Sequence, residues 1–125
     1  MKLKLNDIIN INGALEVLMD KELDFATACD ISTNVKALAT PMEVFEKKRN
    51  VIIDKYAEKD EKGELRRFDD NSVKIIDVDN FNAEMSELLR SDVDLEVVKI
   101  SKKALTDIKI APKNLLALSN IISED

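Results

Sequence analysis

The chain predicts a mainly α fold of the α+β kind. It should hold a long kinked helix in an antiparallel helical hairpin, a small β-hairpin or sheet element, and a C-terminal helix. Three observations carry this expectation. Ala28, Ile31, Val35, Leu38, Met42, Phe45, Ile52 and Tyr56 recur at steps of three, four and seven, a helical stripe near the heptad period that only Arg49 interrupts. Two glycines and two prolines in 125 residues are too few for a loop-rich or all-β chain. Two short β-prone runs, residues 65–68 and 73–76, flank the turn formers Asp69, Asp70, Asn71 and Ser72, which is the pattern of a hairpin.

Taken in order, the alternating Lys and Leu of residues 1–5 make a short edge strand or a lead-in. Asn6 is placed to cap a first helix, with Asp7 favourable to its dipole, and Ile8, Ile11, Leu15 and Leu18 give the buried face to about Asp20. Gly13 within it costs about 1 kcal/mol relative to alanine, which suits a close backbone contact. After a link at residues 21–23, Asp24 caps the long second helix. Pro41 allows two readings there. Thr40, Pro41 and Glu43 read as a fresh helix start, but the heptad phase runs through the proline unbroken, which favours one kinked helix ending near Glu58. Residues 59–63 form a charged turn. A two-stranded hairpin is marginal by itself, so the next segment must pack on helices or gain another strand.

Asp79 caps a third helix whose inner face is Phe81, Met85, Leu88 and Leu89, returning along the second. Residues 93–100 read as a strand through Leu95, Val97 and Ile100, and Ser101 caps a helical turn to Leu105. Ile108 and Ile110 are a further β candidate. Ala111 and Pro112 open a last helix bearing Leu115, Leu116, Leu118, Ile121 and Ile122, which must dock on the core or on another subunit. No internal repeat is visible, and the length suits one domain over residues 1–125.

The net charge of −6 argues against a free-standing binder of nucleic-acid phosphates. The single Cys29 excludes an intramolecular disulfide, fits a reducing compartment, and is expected as an inert, partly buried thiol. No run approaches a membrane span and the first residues lack a signal peptide's apolar core, so a cytoplasmic protein is expected.

Catalytic signatures are sparse. Without histidine the chain cannot build a Ser–His, Cys–His or histidine–metal site, and its two glycines cannot form a phosphate loop. Asp69, Asp70, Asn71, Asp77 and Asp79 could only support a metal-dependent phosphoesterase as a minor alternative. Counted from Asp77, the pattern fails as a calcium loop, because Phe81 and Leu88 fall where the fifth and twelfth ligand positions would be. No cofactor is expected. Two binding roles remain. The stripe Ile31, Val35, Leu38, Met42, Phe45, Ile52 and Tyr56 either packs against the chain's own helices or serves a protein partner or a second copy in a homo-oligomer. Lys47, Lys48, Arg49, Arg66 and Arg67 are either solvated surface or, gathered by symmetry, a pocket for a small anion.

Three stretches carry a resemblance. They are residues 56–64 closing the long helix, Asn80 and Phe81 with Glu84, Glu87 and Leu88 on the third helix, and residues 105–112 leading into Leu115 and Leu118. Together the chain resembles small proteins of phages and prophages of Gram-positive bacteria, a family of unknown function. The resemblance implies a phage origin and carries no site residues across. By analogy it implies a small acidic protein that occupies a surface on another protein, as an assembly chaperone or as an inhibitor of a host protein.

Overall fold

The computed structural model describes residues 1–124. Among them the order is β1 (Lys2–Lys4), α1 (Leu5–Met19), α2 (Phe25–Tyr56), α3 (Val78–Leu89), β2 (Asp92–Asp94), β3 (Ile100–Ser101), a 3-10 turn (Lys102–Leu105), α4 (Pro112–Leu118) and β4 (Ile122–Ser123). The fold is mainly α with a small β element, as the heptad stripe and the scarcity of glycine predict. The chain divides into two compact units, Met1–Met42 with Asp92–Asp125, and Glu43–Ser91. No helix among the described residues is long and apolar enough to cross a membrane.

In the first unit, β1 pairs antiparallel with β2 in the register Lys2↔Asp94, Leu3↔Val93, Lys4↔Asp92. The two tripeptides, KLK and DVD, are complementary: opposite charges face each other on the outer side while Leu3 and Val93 turn to the core. Lys4 Nζ reaches Asp92 Oδ1 at 2.6 Å. The chain passes directly from β1 into α1, so Lys4 and not Asn6 occupies the N-cap, and Leu5 is already buried. Ile8, Ile11, Ala14, Leu15 and Leu18 continue that face at helical spacing. Gly13 serves no close approach, since a Cβ built there meets nothing within 4 Å.

Asp24 caps α2 as its position predicts, its Oδ1 accepting from the Thr27 N–H at 2.7 Å. Pro41 lies inside one continuous helix of 32 residues, so no new helix starts there. Its ring removes the donor that would reach Ala37, and the boundary between the two units falls one residue further on. The predicted strand over residues 93–100 is split into β2 and β3. The interruption has a cause in α2: the fully buried Asn34 donates from Nδ2 to the Val98 carbonyl at 2.9 Å and accepts the Val98 N–H on Oδ1 at 2.8 Å. Both backbone groups that a strand neighbour would have taken are held by one side chain.

From β3 the chain makes its 3-10 turn, crosses through α4, and returns as β4 parallel to β3, pairing Ile100↔Ile122 and Ser101↔Ser123. The last helix is shorter than the apolar spacing predicts. It ends at Leu118, and Ile122 belongs to the strand that follows. Ile108 and Ile110 form no strand, but both pack against the core, with the Ile108 N–H bonded to the Leu105 carbonyl at 3.1 Å. Leu118 and Ile121 join α1, Ile31, Leu38, Leu95, Ile100 and Leu105 in one hydrophobic cluster. α4 thus docks on α1 of its own chain.

The second unit is built on residues 43–56 of α2, α3, and the segment between them. That segment is more ordered than a hairpin. Residues 57–59, 65–67 and 73–75 each pair with both others through antiparallel bridges, Ala57↔Ile75, Lys59↔Leu65 and Arg67↔Val73. At the centre the Glu58 N–H bonds the Lys74 carbonyl (2.9 Å), Lys74 bonds Arg66 (2.9 Å), and Arg66 bonds Glu58 (2.8 Å), a closed ring of three hydrogen bonds. A second tier repeats the pattern from Asp60 to Glu64, Phe68 to Ser72 and Ile76 to Tyr56. Every member lies eight residues from its equivalent, so the backbone contains an internal repeat that the side chains conceal. The positive φ values fall at the same interval, at Gly63 (81°) and Asn71 (71°), the two residue types that best tolerate them. Closure of this triangle on the Tyr56 carbonyl ends α2 two residues before the predicted stop, and it leaves no open strand edge in the ring. Asp77, not Asp79, then caps α3, its Oδ1 accepting from the Asn80 N–H at 3.2 Å.

Candidate functional site

The residues expected to form a partner face are largely used inside the chain. Ile31 and Leu38 lie in the first unit's core, and Val35 and Met42 pack against it. Phe45 is buried in the second unit, with the Arg49 guanidinium 5.4 Å from its ring centroid. Tyr56 is half-buried and meets Phe81 edge to face at 6.5 Å. Heptad spacing is satisfied equally by a neighbouring segment of the same chain, and over residues 31–45 that is what satisfies it. Ile52 lines an open cleft.

Of the basic candidates, Lys47 and Arg67 have polar partners close in sequence. Lys47 lies 3.5 Å from Glu43, one turn away. Arg67 donates to the Asn71 carbonyl at 2.9 Å, which ties the second turn of the triangle. The Arg66 backbone belongs to the central ring and its side chain is exposed. Arg49 lies against Phe45, with its Nε shielded from solvent and without a partner. Among the described residues no three carboxylates or thiols converge as metal ligands. Asp70 closes a turn through Ser72, whose hydrogen bonds hold its carboxyl below the usual carboxylate range, and Asp77 caps α3. Cys29 is exposed, against the expectation of partial burial, because it points away from the Ile31–Leu38 face.

What the structure does assemble is a face on the second unit. Tyr56 meets Phe81, Lys55 meets Glu84, and Lys48 shares a cleft with Ser91, so α3 runs antiparallel to the end of α2. The cleft between them has a volume of about 380 Å³. It is lined by Lys48, Val51, Ile52 and Lys55 from α2 and by Glu84, Glu87 and Leu88 from α3. Lys55 Nζ donates to Glu84 Oε1 at 2.7 Å. That bond raises the Lys55 pKa and lowers that of Glu84. The other carboxylate oxygen, Glu84 Oε2, is shielded from solvent, and the neighbouring Tyr56 hydroxyl also favours the charged carboxylate.

Burial is thin throughout this unit. Across Glu43–Ser91 only Phe45 and Ala57 are buried, and α3 has no buried residue. Val51 is 68% exposed and Ile76 71%. In the other unit an open groove of about 710 Å³ separates α1 from α4, with Ile9, Gly13, Val17 and Leu116 among its walls. Comparison of the chain with family models, with curated proteins and with solved structures returns no match.

Proposed function

We propose that this chain is a protein-interaction module that binds another protein through the α2–α3 face of its second unit. The observation that carries the reading is the contrast in burial between the units. The first closes a continuous core, while Phe45 and Ala57 are the only buried residues of the second, whose half-buried α3 lines a cleft in which Val51 stands 68% exposed. Removing apolar surface from water is favourable by about 25 cal/mol per Å², and a persistent apolar helical face is the usual mark of a docking surface. The cleft offers apolar contact beside charge of both signs, a combination that suits recognition of another protein. Its resemblance to small phage proteins supports a role in the cytoplasm of an infected or lysogenic host, as an assembly chaperone or as an inhibitor of a host protein.

The test is comparative capture from a Gram-positive host carrying phage, using the tagged full chain and two variants. Val51→Glu places a charge on the proposed face, and Leu116→Glu places one in the α1–α4 groove. Proteins retained by the wild type should be lost with Val51→Glu and kept with Leu116→Glu. Retention of the same proteins by Val51→Glu would overturn the proposal. The coding genome of the retained protein, phage or host, separates the chaperone from the inhibitor.

A further inference from the structure

Beyond a generic partner, the charge pattern of this face names one occupant. We infer that a second copy of the chain packs on the cleft, α2 against α3 of the partner subunit, to form a four-helix dimer. The inference rests on reading the α2–α3 face as an interaction surface. α2 contributes Lys48 and Lys55 to the cleft and α3 contributes Glu84 and Glu87, with Lys55 and Glu84 already bonded across it within one chain. A two-fold axis parallel to the helices brings the basic side of each copy over the acidic side of the other. Lys55 then lies level with Glu84 of the partner subunit, and Val51 with Leu88 of the partner subunit. An axis perpendicular to the helices would instead oppose Lys48 and Lys55, a like-charge contact. The pattern therefore selects one isologous arrangement.

The size of the face bounds the affinity. α3 has 12 residues and is thus about 18 Å long, so a surface two helices wide lies at the small end of stable interfaces. A micromolar dimer is expected, and sedimentation velocity between roughly 5 and 200 µM spans that range. The wild-type full chain should dimerise there, and Val51→Glu should weaken the dimer by at least about tenfold with an unchanged far-UV circular dichroism spectrum. Val51 is 68% exposed, which makes it a safe position for the charge. Orientation is read by disulfide formation in a Cys29→Ser background. A mixture of Val51→Cys and Leu88→Cys chains should cross-link as the heterodimer, faster than either variant alone.

A chain monomeric at the top of that range overturns the dimer, as does a dimer indifferent to Val51→Glu or one in which Val51→Cys links only to itself. A monomeric wild type that still loses its captured proteins on Val51→Glu overturns the dimer and leaves the interaction reading standing. If those proteins are also retained, both readings fall.

Discussion

Asn34 gives the sharpest prediction, because one side chain holds both backbone groups of Val98 from a fully buried position. Replacing it with alanine removes two hydrogen bonds, each contributing about 1 kcal/mol net, and leaves a small cavity. Val98 is itself partly accessible, so water can recover some of its backbone bonding, and a total near 2–4 kcal/mol is expected. With a urea m-value of about 1.5 kcal/mol/M this lowers the midpoint by roughly 1.3–2.7 M. Urea titration by far-UV circular dichroism measures it, and hydrogen exchange of the α1 amides reports on the unit that contains Asn34. Asn34→Asp adds a pH test. Its carboxylate can still accept from the Val98 N–H but faces the Val98 carbonyl with a negative oxygen, so burial and repulsion raise its folded pKa above the unfolded value of about 3.9. The proton restores a donor, so this variant should approach wild-type stability below that pH. It should lose stability as pH rises through the interval up to the folded pKa, and stay low at neutral pH. A midpoint within about 0.3 M of wild type for Asn34→Ala, or an Asn34→Asp penalty independent of pH, would refute the clamp.

The two glycines should respond in opposite directions to alanine. Gly13→Ala should stabilise α1 by up to about 1 kcal/mol, since the new Cβ meets open space in a helix, and thermal melting checks it. Gly63→Ala should destabilise by about 1 kcal/mol although its Cβ is equally unobstructed, because φ is +81° there; exchange of the Arg66 and Lys74 amides should quicken with it. Asp24→Ala should lower the melting temperature at neutral pH. The Thr27 bonds lower the Asp24 pKa, so its contribution is full above the ordinary carboxylate value and fades as pH falls through the folded one; the wild-type and variant melting curves should converge in acid.

Some of this architecture is readable from residue types and spacing, and some is not. The α1 stripe, the Asp24 cap, the continuity of α2 through Pro41 and the Pro112 start of α4 are local matters. Each depends on contacts within a turn or two, where helical periodicity and capping chemistry act directly. The hairpin at residues 65–76 is local in the same sense, and its marginal stability demands either helix packing or a further strand without choosing between them.

Asn34 lies three residues after Ile31 and four before Leu38, on their side of the helix, but as a polar residue it stands outside the apolar stripe. Its partner at Val98 was not legible, because 64 residues separate the two and no periodicity links them. That long-range pairing split the expected strand over residues 93–100. The eightfold interval in the β triangle was concealed for a related reason: its ring uses backbone groups, which every residue carries, and only Gly63 and Asn71 betray the repeat through their conformational tolerance. The heptad stripe specified that a face must be buried and left open by what. Tertiary structure assigned residues 31–45 to the chain's own interior and left Val51 exposed in the cleft lined by Lys48, Lys55, Glu84 and Glu87. The reason is physical: hydrophobic burial is non-directional, so a sequence pattern demands cover, and only the three-dimensional arrangement decides which surface supplies it.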